Sequence, residues 1–164
     1  MNNEELFDHV YIWADGSICG NPDGAGGLGI FIESKRKQYV RTIGKFIPAR
    51  EGNTNNRMEL EAVIEALKSL KDVPLVVHLY LDSMYVIGGI KAKGYSSNKD
   101  LWRKLFNEIN RRTGNIYINV EHVKGHNGVE KNVVVDRVAN LAREKEKDVE
   151  FVGHPDEIIR RFGK

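Results

Sequence analysis

Apolar positions alternate in short runs at the start of the chain and switch to helical spacing further on. Residues 9 to 17 (HVYIWADGS) read as a first strand, and residues 26 to 34 (GGLGIFIES) and 38 to 47 (QYVRTIGKFI) as its antiparallel neighbours, the latter two joined through ESKRKQ. Leu60, Val63, Ile64, Leu67 and Leu70 then recur with helical period. Asn56 three residues before Glu59 suits a capping box, and Asn53 or Thr54 would cap this helix equally well. Residues 75 to 82 form a continuous apolar run, the pattern of a central strand buried on both faces and parallel to the first. A short helix from Ser83 to about Ile90, a helix from about Lys99 to Arg112, a strand NIYINVEHV and a helix from about Asn132 to Lys147 follow. Val133 to Val135 are β-branched, yet Val134, Val138 and Leu141 keep helical spacing. The expectation is one α/β domain over residues 1–147, with residues 148–164 a C-terminal tail holding the short amphipathic segment PDEIIRRF.

Four acids occupy telling places in this pattern. Asp15 and Asp82 close two strands, Glu59 lies on the first turns of the first helix, and Asp136 lies in the last long helix, after the Gly-rich, His-bearing segment VKGHNGVEKN. Any one of them alone reads as a turn former or a solvated charge. Brought together they repel one another, and the usual remedy is divalent cations with hard oxygen ligands, Mg2+ or Mn2+. The pattern therefore points to a metal-dependent enzyme.

Composition narrows the setting. The 164 residues are 41% hydrophobic and 29% charged, enough for one real core and not two. No apolar run approaches the roughly 20 residues of a membrane span, and MNNEELFDHV lacks the form of a signal peptide, so a soluble, cytoplasmic protein without membrane association is expected. The lone Cys19 forms no internal disulfide. A net charge of +2 permits nucleic-acid binding without arguing for it. Clustering says more: cations gather in SKRKQYVR (residues 34 to 41), in KAKGYSSNKDLWRK (91 to 104) and at Arg111 and Arg112. Tyr95 and Trp102 stand among the second set, the mix that tracks a phosphate backbone and stacks on sugars or bases, although a solvated turn with Trp102 in the core gives the same pattern. Gly24, Gly26 and Gly29 spell a dinucleotide fingerprint, but a strand follows where the fingerprint needs a helix, so no nucleotide cofactor is expected. The glycines from Gly16 to Gly27 are better read as clearing side chains from beside Asp15 so that a substrate backbone can come close.

The segments DGSICGNPDGAGGLGIF, TNNRMELEAVIEAL, LYLDSMYVI and VKGHNGVEKNVVVDRVANLA, in this order, resemble the four blocks of type 1 ribonuclease H, which cuts the RNA strand of RNA/DNA hybrids. The resemblance covers about residues 10 to 145. It implies a five-stranded mixed sheet of order 3-2-1-4-5 flanked by helices, and a monomer with the hybrid as partner. Position by position it assigns metal binding to Asp15, Glu59, Asp82 and Asp136, and proton transfer or product departure to His126, which lies between Gly125 and Gly128. Two Mg2+ ions ~3.5 to 4 Å apart, with Mn2+ as a substitute, would activate water and stabilise the leaving 3′ oxygen, giving 5′-phosphate and 3′-hydroxyl ends. It places Asn21, Asn55 and Asn56 in the minor groove of the hybrid, Thr54 near a DNA phosphate, and the backbone of Gly16, Ser17 and Ile18 against the RNA sugars. Met84 and Tyr85 fall where the family packs on sugars, with core packing of a short helix as the alternative. Amides and carbonyls read a 2′-hydroxyl, which donates and accepts, and backbone readout makes cleavage largely sequence-independent.

The chain departs from the pattern in two places. Only fourteen residues separate Val86 from Leu101, so GGIKAKGYSSNKD stands as a shortened substitute for the longer basic protrusion of many members. Asp23 stands where the NPG turn often has Gly. Integrases, transposases and junction resolvases share the fold and an acidic cluster but usually lack the TNNRMEL block, and a non-catalytic hybrid binder would be expected to have lost a metal ligand.

Overall fold

The computed structural model describes residues 7–20, 22–124 and 130–163. Its strands are β1 (Asp8–Ile18), β2 (Gly26–Ser34), β3 (Val40–Ile47), β4 (Leu75–Leu81), β5 (Ile116–His122) and β6 (Val149–Gly153). Its helices are α1 (Asn55–Lys68), α2 (Met84–Lys91), α3 (Lys99–Asn110), α4 (Glu130–Lys145) and α5 (Pro155–Phe162). The strands form one sheet of order β5-β4-β1-β2-β3-β6. β1 pairs antiparallel with β2 and parallel with β4, as the apolar patterns predict.

The alternation of β1 divides the core. Val10, Ile12 and Ala14 face a cluster completed by α1, α2 and α3, while Trp13 faces Phe31, Val40, and Val134, Val135 and Val138 of α4. In α1, Met58, Leu60, Ala62, Val63, Ile64, Ala66 and Leu67 are buried, so this helix lies deep against the sheet. Thr54, not Asn56, is its N-cap, with the hydroxyl accepting from the Arg57 N–H at 3.2 Å. Asn53 is instead fully buried, its amide donating to the carbonyls of Gly24 and Pro48.

Two expectations are corrected here. The sheet has six strands where five were expected, because residues 148–164 are not a free tail: β6 pairs antiparallel with β3, and Ile158 and Phe162 of α5 bury into the cluster around α4. Of the glycines read as clearing room for a substrate, Gly16 and Gly27 have their bare faces taken up by helices, whereas Gly20 has open space around it. A Cβ on Gly16 would overlap the Met58 carbonyl of α1, and Cβ atoms on Gly27 and Gly29 would overlap the carbonyls of Ala139 and Val135 of α4. These bare positions let both helices approach the sheet backbone.

β4 departs in detail from a strand buried on both faces. Leu75, Val77, Leu79 and Leu81 are buried on the α1 side, whereas His78 and Tyr80 on the other side are half-buried and stack on Tyr11 and Trp13 of β1.

Candidate active site

Strand pairing and helix packing bring the acids together. Asp15 lies near the end of β1, Asp82 directly follows the parallel neighbour β4, and Glu59 sits on the first turns of α1, which lies across β1 with Met58 and Leu60 turned into the core. The three half-buried carboxylates each offer an oxygen within 4.8 Å of the others. Asp136 stands outside this tight group, but its charge, from the first turns of α4, adds to the field at Asp15. Three acids meet closely, and the fourth, on the helix packed against the other face of the sheet, acts on Asp15 through its charge.

The electrostatic cost is large. Burial, then the charges of Asp82, Glu59 and Asp136, push the Asp15 carboxyl up to about 8, against a single bond from the Gly16 N–H. Burial raises Glu59 to about 7, opposed by a hydrogen bond from the Ser83 hydroxyl. At neutral pH a cluster of this kind holds protons or takes up a cation. Hard, clustered carboxylate oxygens fit Mg2+-like ions, so Asp15, Glu59 and Asp82 form a coherent donor set.

Around the acids, Asn55 accepts a hydrogen bond from the Ile18 N–H at 3.0 Å, linking the start of α1 to the end of β1. Thr54, Asn55 and Asn56 are all exposed, and Ser17 is half-buried beside them. Met84 is 62% exposed, so it is free to touch a ligand and is not a core residue. Tyr85 is half-buried, and its hydroxyl accepts from Asn98 Nδ2 and Trp102 Nε1. His126 and Asn21 lie outside the described residues.

Not every cation of the basic clusters is available to a ligand. Arg112 is buried, and its guanidinium donates to the carbonyls of Lys71 at 2.8 Å and Leu67 at 2.5 Å, satisfying the C-terminal end of α1. Arg111 pairs with Glu108. Trp102 is buried on Gly89 of α2 and is unavailable for stacking on a ligand. Lys91, Lys93, Lys99, Arg103 and Lys104 remain exposed.

Sequence reasoning gave no role to Ser83, Arg57 or Asn98. Ser83 bonds Glu59 and also caps α2, accepting from the Val86 N–H; its place directly after Asp82 was the available signal. Asp23 has φ +74°, where Gly is favoured, and its carboxylate accepts from the Gly52 N–H at 2.8 Å. That bond supports the turn expected from sequence. A cleft lined by Val10, Tyr39, Leu70 and Val152 lies toward the opposite end of β1 and has no part in the acidic cluster.

The RNase H family model matches residues 8–144. The chain belongs to the ribonuclease H family. It is 38% identical to a ribonuclease H of Mannheimia succiniciproducens over 90% of this chain and 95% of that one. It is 37% identical to ribonuclease HI of Haemophilus influenzae over 90% and 97%. Among solved structures it resembles RNase H1 from Halobacterium salinarum, at 28% identity and a TM-score of 0.64, over 82% of this chain and 96% of that one. It also resembles LC11-RNase H1 in complex with RNA/DNA hybrid, at 25% identity and a TM-score of 0.65, over 84% and 98%. This family member is a metal-dependent endoribonuclease, and no helix among the described residues is long and apolar enough to cross a membrane.

Proposed function

We propose that the protein hydrolyses the RNA strand of RNA/DNA hybrids with Mg2+ as the working ion, held by Asp15, Glu59 and Asp82 and completed by Asp136. The observation that carries this reading is the convergence of three half-buried carboxylates within 4.8 Å. The bound cations would supply an activated water and charge stabilisation at the leaving oxygen. The chain's own part is to hold the acids in place: Ser83 lies beside Glu59 and favours its charged form, and the Gly16 N–H bonds one oxygen of Asp15 at 2.9 Å. Hybrid recognition falls to the exposed Thr54, Asn55, Asn56 and Met84, the half-buried Ser17 and Tyr85 and the backbone at Gly16, with Asn21 assigned from sequence. Asn55 has its side-chain oxygen occupied by Ile18, so its amide nitrogen is the group left to face the groove. His126 is assigned proton transfer or product departure, since an imidazole changes charge near neutral pH. The protein would act as a monomer in the cytoplasm, with no nucleotide cofactor.

The test is incubation of labelled hybrid, RNA duplex, single-stranded RNA and DNA duplex with Mg2+, Mn2+ or chelator. Cleavage of the RNA strand in the hybrid alone, lost in chelator, is expected. Equal cutting of single-stranded RNA would overturn it.

A further inference from the structure

Between α2 and α3 the chain makes a short turn whose exposed face carries Lys91, Lys93 and Lys99, and whose backbone is left-handed at Lys93 (φ +60°), Gly94 (φ +103°) and Asn98 (φ +56°). Asn98 stands at the N-cap of α3, yet its side chain makes no capping bond. It reaches sideways instead. Oδ1 accepts from Arg57 Nη1 of α1 at 3.2 Å, and Nδ2 donates to the Tyr85 hydroxyl of α2 at 2.9 Å. That hydroxyl also accepts from Trp102 Nε1 of α3 at 3.1 Å and lies 3.0 Å from Ser97 Oγ. Arg57 holds Asp100 through both guanidinium nitrogens, at 3.0 and 2.7 Å. Arg57 is two residues from Glu59 on the same helix, so one small amide joins the carboxylate-bearing helix to the turn that carries the lysines.

We propose that Asn98 is a positioning residue that fixes the cationic turn from Lys91 to Lys99 against α1, and thereby sets how well the lysines meet the phosphates of a hybrid. This rests on the functional reading above. Two hydrogen bonds to different helices offset the strain of a left-handed non-glycine residue, which is a reason for Asn rather than Gly here. Its partners are side chains of α1 and α2, so Asn98 adds to the Tyr85–Ser97 and Arg57–Asp100 contacts a tie that joins the turn to both helices at once. Asn98 itself reaches no carboxylate of the cluster, so its effect is on docking and not on the chemical step.

The experiment compares the wild type with Asn98→Gly, which keeps the left-handed backbone, and Asn98→Asp, which keeps the oxygen facing Arg57 but loses the donor to Tyr85. Each is made alone and in a Lys91→Ala/Lys93→Ala/Lys99→Ala background. KM and kcat are measured on hybrid at low salt with Mg2+, and backbone 15N relaxation of residues 92–97 is measured without hybrid. Asn98→Gly is expected to raise KM about three- to tenfold with kcat within about twofold, and to loosen the amides of the turn. Asn98→Asp should show a smaller rise. In the lysine-less background Asn98→Gly should add nothing further. An equal KM rise in both backgrounds, a loss carried by kcat, or unchanged relaxation would overturn the assignment. The relaxation data judge the positioning claim even if the wild type fails to cut a hybrid, an outcome that would sink the functional reading instead.

Discussion

Gly29 of β2 lies directly beneath Val135 of α4, so close that a Cβ on Gly29 would overlap the Val135 carbonyl. The next residue along α4 is Asp136. A bare position in the sheet thus sets the depth at which the fourth acid is delivered.

Gly29→Ala should therefore lift α4 and displace Asp136. We expect a stability loss of about 1 to 3 kcal/mol from overpacking, read by urea unfolding, and a fall in Mg2+-dependent cleavage at temperatures where the variant is still folded. Full activity in the folded variant would show that Asp136 tolerates displacement.

What was legible in the sequence follows a physical rule. Features set by local periodicity were visible: the alternation of HVYIWADGS and the helical spacing from Leu60 to Leu70 predict β1 and α1 closely, and the acids at strand ends and on the first turns of helices follow from those elements. Features set by partners far along the chain were not. Arg112 looks like any surface cation until the carbonyls of Lys71 and Leu67, 41 and 45 residues away, are seen around it. VEFVG is too short to announce a strand, and becomes one by pairing with β3. Trp102 among cations read equally as a stacking platform or as a core residue, and its packing on Gly89 of α2 decides for the core. The acids that meet in the cluster were local and readable; their neighbour Ser83 was not.

The acidic cluster makes metal-free stability depend on pH in a definite direction. Asp15 and Glu59 have folded-state values of about 8 and about 7 against ordinary values of 3.8 and 4.5, so the folded protein binds more protons than the unfolded chain between those limits. Their contribution is most favourable below the ordinary values and is lost as pH rises through 7 to 8. Asp100, held at about 2 by Arg57, acts in the opposite sense only below its ordinary value of 3.8. Unfolding in chelator from pH 5 to pH 9 should show declining stability, and Mg2+ should bind more tightly as pH rises because it displaces those protons. A flat profile across Asp15→Asn and wild type alike would refute this.

Asp15→Asn and Asp82→Asn should each reduce turnover at least about a hundredfold while hybrid affinity holds or improves, since a carboxylate facing phosphate is removed. In chelator, Asp15→Asn should melt at a higher temperature than the wild type because folding no longer gathers that charge. Affinity lost in step with turnover, measured by filter binding, would contradict these roles.

Neutralising Lys91 and Lys93 should weaken hybrid binding alike for all sequences and reduce the log-log salt slope by up to about 1 for each phosphate no longer paired with a lysine, with turnover at saturation retained. His126→Ala should do the reverse, lowering turnover with little change in affinity. Measuring both variants at two salt concentrations decides it, and an affinity-only defect in His126→Ala would move that residue from catalysis to docking.

Arg112 separates a structural cation from a binding one. Its buried guanidinium donates to the carbonyls of Leu67, at the end of α1, and of Lys71, just beyond it. Arg112→Ala removes the charged donor from both carbonyls and should cost about 1.5 to 3 kcal/mol, on the scale of hydrogen bonds to a charged group. Arg112→Lys should recover only part, because one ammonium cannot span acceptors that the planar fork reaches together. Hybrid affinity and its salt slope should be unchanged in whatever fraction remains folded, since no phosphate can reach the buried side chain. A flattened salt slope in Arg112→Ala, with unfolding unaffected, would return Arg112 to the nucleic-acid surface.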